Sequence, residues 1–178
     1  FDTPTLDLGK MADHQPVAAL GFTAGVALIF GFYLLAMRAA ARLTRERTLW
    51  LIVMSSVAFS IVLVWAYPVG AIDLFDYIFR ARLWGRYDFN PLTVAPLVVS
   101  DDEWYPFIVW VWHGSPYGPL WSIISVWLYR AAGDGLWRNL VAFKALAALC
   151  VQASSLLIFD LLRRSSGGHA AQSTRAVG

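Results

Sequence analysis

The sequence predicts an all-α membrane protein, with three to four transmembrane helices and an amphipathic interfacial helix in a large external loop. Three observations carry that expectation. Of 178 residues, 58% are hydrophobic and only 15% charged, against about 25% charged in a soluble domain. Charges are so unevenly placed that one run of 25 residues has none, enough to cross a bilayer core as a helix. Nine of the 26 formal charges then crowd between residues 73 and 103. The net charge of +2 is too small and dispersed for a nucleic-acid footprint, so no nucleic-acid partner is expected. A single cysteine, Cys150, excludes an intrachain disulfide. No metal-ligand spacing and no cofactor motif is visible.

Residues 1–15 read as an external N-terminal arm, with Asp2, Asp7 and Asp13 against Lys10. The arm has no basic n-region or cleavage site and starts at Phe, so it does not read as a signal peptide. The uncharged stretch Gln15–Met37 is the first expected span of a transmembrane helical domain over residues 16–164. Lipid offers the backbone no hydrogen-bond partners, so these spans must be helices. Arg38, Arg42, Arg45 and Arg47 against Glu46 mark the next segment as cytoplasmic by the positive-inside rule. The second span falls within the uncharged run Thr48–Ile72, which places loop 70–116 outside.

In that loop, a helix starting at Asp73 sets Asp73, Asp76, Tyr77, Arg80 and Trp84 on one stripe, with Leu74, Phe75, Ile78, Phe79 and Leu83 opposite. Such a helix would lie in the outer interface, Arg82 snorkelling from its apolar face to lipid phosphate and Gly85 ending it. Asn90-Pro91 and Ala95-Pro96 read as turning or extended chain. A stiff turn, Ser115-Pro116-Tyr117-Gly118-Pro119, then leads into a helix with Pro119 in its first turn. That helix, to about residue 130, is either a short tilted span or an interfacial element with Trp121, Trp127 and Tyr129 as belt residues. The cytoplasmic preference of Arg163, Arg164 and Arg175 favours the interfacial reading. Asn139–Phe159, interrupted only by Lys144, is the last span. Residues 165–178, rich in Ser, Gly and Ala, read as a flexible tail.

Two carboxylates three apart beside a Tyr and an Arg offer a general base and an anion clamp. Asp73 follows an apolar helix, and partial desolvation would make it a better proton acceptor; it also suits a helix cap. Asp76 and Arg80, four apart, form either a site or a surface pair. Lys144, in an apolar span, either holds an anion or snorkels to headgroups. His113 has no ligand partner at metal spacing and reads as a hydrogen-bonded interfacial residue or a ligand.

The run Asp73-Leu-Phe-Asp76-Tyr77-Ile-Phe-Arg80-Ala-Arg82-Leu-Trp-Gly85, then Asn90-Pro91 and Pro116-Tyr117-Gly118-Pro119, resembles bacterial integral-membrane glycosyltransferases of the GT-C superfamily. The nearest are the polyprenyl-phosphate-mannose-dependent mannosyltransferases. The likeness is dense over residues 73–121 and looser over about 48–164. It departs at Leu92, where relatives often have Tyr. It implies an inverting transfer of a sugar, mannose first, from a polyprenyl-phosphate donor on the extracytoplasmic face of a bacterial inner membrane. Asp73 would be the catalytic base. Arg80, Arg82 and Lys144 would neutralise the departing phosphate, Tyr77 would orient Asp73 or the sugar, and Asp76 would complete the binding set. Relatives commonly have ten or more spans, so the chain corresponds to an N-terminal portion, as a fragment or a truncated relative. The competing expectation is a small non-catalytic transmembrane subunit of a larger complex, whose partners would be other membrane proteins as well as lipid.

Overall fold

A computed structural model of the protein describes residues 15–42 and 45–175. The arm bearing Asp2, Asp7, Lys10 and Asp13 lies outside the described residues, as do the last three residues of the expected tail. The described chain is all helical. Five α-helices follow in order: α1 (Pro16–Ala40), α2 (Arg45–Trp65), α3 (Asp73–Tyr87), α4 (Pro119–Ala132) and α5 (Leu136–Arg175). Two 3-10 turns, Pro96–Val99 and Tyr105–Phe107, lie between α3 and α4.

Two helical stretches, Pro16–Ala40 and Leu136–Leu161, are long and apolar enough to cross a membrane. No residue of α1 is buried, and large apolar side chains such as Phe22, Ile29 and Phe32 stand fully outward. Among elements that must satisfy their own backbone in lipid, this inverted exposure is the expected one. The uncharged run 48–72 is not one helix. It stops at Trp65, and the chain turns through Pro68, with Val69 N–H donating to Tyr67 O and Ala71 N–H to Pro68 O. Proline disfavours helical geometry in the residue before it, and absence of charge does not distinguish a helix from an apolar turn. The apolar part of α2 is therefore Trp50–Trp65, shorter than the other two. α2 packs on α5, where Gln152 donates to Ser56 Oγ and Ser60 Oγ, each at 2.9 Å, the polar pairing that joins apolar helices. Backbone helix geometry in α5 continues past residue 164 to Arg175.

The core sits elsewhere, around α3. Phe75, Ile78 and Phe79 of α3 meet Trp104, Ile108 and Val111 of the loop, Tyr129 of α4, and Leu140 and Phe143 of α5. Phe75 stacks on Phe107 at 6.0 Å, and Phe79 meets Tyr105 edge-on at 6.2 Å. The expected amphipathic helix forms, but its apolar face is enclosed. Its apolar face rests on folded chain rather than lipid, because the segment between α3 and α4 folds back over it. Gly85 does not end the helix either. A Cβ there would lie 2.5 Å from the Tyr129 ring, so the glycine lets α4 approach closely. α3 ends instead at Asp88, in the left-handed region at φ 57°, with Phe89 N–H closing onto Leu83 O.

The turns behave as their prolines dictate. Ala95 is extended before Pro96, and Pro119 occupies the start of α4 behind an extended Gly118. Asn90 Oδ1 accepts from Leu92 N–H at 3.0 Å. In α4, Ser122, Ser125, Val126 and Tyr129 face inward, while Leu120, Ile123, Ile124 and Trp127 face out.

Arg82 does not snorkel. It is 1% exposed, and its Nε donates to Asp102 Oδ2 at 2.8 Å. Its two terminal nitrogens donate to Asp134 and, at 3.2 Å, to Glu103. The guanidinium carbon stands 3.8 Å from the Trp104 ring centroid. A buried cation is tolerated only when paired and hydrogen-bonded in this way. Tyr87 and Tyr129 hydroxyls donate to the same carboxylates, Asp102 and Asp134. Nearby, the buried Asn139 amide donates to Gly133 O and Gly135 O, holding the α4–α5 turn.

Arg82→Met leaves Asp102 as a buried carboxylate without its cation and is expected to destabilise the protein by about 3–5 kcal/mol. Glu103→Gln, at a side chain 67% exposed, should cost less than about 1 kcal/mol. Unfolding of the two variants in detergent, followed by near-UV circular dichroism, measures the contrast.

Candidate functional site

The polar stripe expected on α3 forms, and its cover comes from the segment 109–117. Asp73, Asp76, Tyr77 and Arg80 all bond to that segment. Arg82 lies with its own carboxylates, and Lys144 donates to the carbonyl of Ala66, just beyond the end of α2. A cation at that position also complements the helix dipole.

The two carboxylates occupy opposite environments. Asp73, at the first turn of α3, is exposed, and its Oδ1 accepts from the Trp110 indole N–H at 3.0 Å. Its Oδ2 has no partner among the described residues. Asp76 is the desolvated one, 3% exposed, with Oδ1 accepting from Trp110 N–H at 3.0 Å and Oδ2 from Val109 N–H at 3.4 Å. Burial pushes its carboxyl above the usual range, opposed by those two backbone donors and by the charge of Arg80. The desolvation expected for Asp73 thus falls, within the protein, on its neighbour one turn on. The reason is the loop, which covers the second turn of α3 and leaves the first open.

Arg80 is also buried, donating to His113 O at 2.9 Å and Trp110 O at 3.0 Å. Its desolvation lowers its pKa, opposed only in part by the charge of Asp76. Asp76 takes the N–H groups of the loop and Arg80 takes its carbonyls, so together they clip it along one edge. His113 enters through its backbone; its side chain is exposed. Gly114 follows because a Cβ there would lie 2.4 Å from Leu92 O, where Ser115 N–H donates to Pro91 O.

Tyr77 and Tyr117 share a hydroxyl hydrogen bond at 2.9 Å, their rings edge-to-face at 5.0 Å, and Trp121 meets Tyr77 at 5.8 Å. The Tyr117 hydrogen bond, then burial, pushes Tyr77 up to about 12. It therefore remains a protonated hydroxyl that can donate. Beside it a cleft of about 10 Å³ is lined by Arg80, Ser115, Trp121, Ser122 and Ser125, room for about one water. Ser125 Oγ is buried there with no protein partner among the described residues.

Among the described residues no group of three or more His, Cys, Asp or Glu side chains is placed to hold a metal. Sequence reasoning missed Trp110, which reads as one more belt aromatic in an aromatic-rich stretch. It also missed Asp102 and Asp134 as the partners of Arg82, since pairs 20 and 52 residues apart have no local spacing signal.

Residues 2–176 match a protein-family model described as MptA_B family: alpha-(1->6)-mannopyranosyltransferase, N-terminal domain. The chain belongs to this family. Neither the curated proteins nor the solved structures supply a match. The resemblance read from Asp73 to Trp121 is therefore shown, and with two membrane-length apolar helices it makes the chain a membrane-associated mannosyltransferase-family domain.

Asp76 binds its proton more tightly folded than unfolded. Its contribution to stability is then greatest below its unfolded pKa and is lost as pH rises through the folded one. Asp102 has the opposite sign. Burial would raise its pKa, but hydrogen bonds from Tyr87, Trp104 N–H and Arg82 hold it below the usual range, so its contribution is lost as pH falls. Thermal midpoints taken from pH 3 to 8 should fall with rising pH less steeply in Asp76→Asn than in wild type. In Asp102→Asn the acid-side loss should be the shallower one.

Proposed function

We propose that the chain takes part in inverting mannosyl transfer from a polyprenyl-phosphate donor on the extracytoplasmic face of a bacterial cytoplasmic membrane, with Asp73 as the base. The observation that carries the reading is the state of Asp73: an exposed carboxylate with one oxygen held by the Trp110 indole. Its other oxygen is left for a substrate hydroxyl. Geometry of this kind is what a general base needs. The acceptor O–H would give its proton to Asp73 as its oxygen bonds to the anomeric carbon. The bond from that carbon to the phosphate oxygen breaks on the opposite side, and polyprenyl phosphate departs.

Negative charge develops on the departing phosphate, where a cation is most effective. Lys144 suits that role best, being partly exposed and bonded seven residues before Asp73, at Ala66. Arg82, its charge already matched by Asp102 and Asp134, is better read as structural. Tyr77, held as a neutral hydroxyl by Tyr117, would orient the acceptor or the base. The arginines at the facing ends of α1 and α2 support the orientation: with that end cytoplasmic and α2 crossing the bilayer, the α3–α4 unit would lie at the outer end of α2. The outward apolar face of α4, with Trp127 at 65% exposure, supports an interfacial position for that 14-residue helix.

Membranes expressing the chain, supplied with radiolabelled polyprenyl-phosphate mannose and a mannoside acceptor, test the proposal. Asp73→Asn is expected to lower transfer about 10²- to 10⁴-fold, and equal rates would sink Asp73 as the base. Co-purification in fixed stoichiometry with other membrane proteins, with no transfer from wild type, would favour the non-catalytic subunit instead.

A further inference from the structure

We infer that Trp110 is the positioning residue of this site: its indole N–H sets the direction of the Asp73 carboxylate, and Asp76 and Arg80 act through it rather than on substrate. The inference rests on the reading of Asp73 as the base. Its support is that one residue is bonded at three points to one stripe of α3. The indole Nε1–H donates to Asp73 Oδ1, the backbone N–H to Asp76 Oδ1, and the carbonyl accepts from Arg80 Nη2, each at 3.0 Å. Residues 73, 76 and 80 lie one and two turns apart along the helix, so the three bonds fix where the Cα of Trp110 sits and which way its ring points.

Packing does not account for that placement, since Trp110 is 60% exposed. A ring held in the open by hydrogen bonds is directed, not buried. Asp76 and Arg80, both under 10% exposed, have their inner atoms committed to backbone of residues 109–113. An exposed carboxylate at a helix start otherwise rotates about two bonds, and a fixed donor on one oxygen aims the other.

Replacing Trp110 with 3-benzothienylalanine keeps the ring shape and removes only the N–H; Trp110→Phe is the simpler companion. In the mannosyl-transfer assay both should lower kcat about 10- to 100-fold, the range for losing a hydrogen bond to a charged group. KM should stay within about 3-fold. Asp76→Asn, which keeps an acceptor oxygen for the loop, should retain more activity than Asp76→Ala. An unchanged kcat in both Trp110 variants, with Asp73→Asn inactive, overturns the inference and leaves the base intact. Active Asp73→Asn overturns the base reading itself. A lost rate that accompanies a collapsed thermal midpoint in the benzothienyl protein overturns positioning in favour of a folding role. A readout without turnover is the resonance Raman difference between wild type and Trp110→Phe. It should show an indole bonded to a carboxylate, whose band shifts towards that of a water-bonded indole in the Asp73→Ala background, and an identical band in both backgrounds overturns the inference.

Discussion

Burying the guanidinium of Arg82 obliges three separate stretches of chain to meet. The cation cannot stay on an enclosed helix without anionic partners, and α3 has none on that side. Asp102 comes from the loop after the first 3-10 turn, and Asp134 from the turn between α4 and α5. Trp104 covers the guanidinium face, and Tyr87 and Tyr129 complete the carboxylates. Once this knot closes, the loop lies over α3, α4 crosses at Gly85, and the start of α5 is anchored.

The opposite edge of α3 carries the candidate site. With residues 102–108 tied down, the chain arrives at Val109 and Trp110 in register with the second turn of α3. Asp76 and Arg80 then clip it in place. One helix thus carries two polar sets with different work. The Arg82 set is closed upon itself and structural. The Asp73 set is open at one end, where a carboxylate and two tyrosines face outward. That asymmetry, more than the presence of charge, separates a candidate site from a fold-stabilising network in a small membrane-associated unit.

Local patterns carried far in this chain because a helix reports its own faces. The stripe of Asp73, Asp76, Tyr77 and Arg80 was legible from the 100° step per residue, as were the turns at Pro96 and Pro119 from the stiffness of proline. Gly85 shows where such reading stops. A glycine near a helix end is compatible with a terminator and with a close crossing, and only the Tyr129 ring beside it decides between them. The run 48–72 shows the same limit, since hydropathy cannot separate the end of α2 from the apolar turn through Pro68.

Composition and order of residues by themselves determined the membrane class, the all-helical content, the family likeness and which residues share the polar edge of α3. Tertiary structure decided which carboxylate is buried, that Arg82 is an internal strut instead of a lipid contact, and that Trp110 stands against Asp73. The physical reason is that periodicity depends on neighbours three or four residues away. Burial, pairing and the aim of a side chain depend on what segment covers it, and here those covers arrive from 20 to 52 residues along the chain.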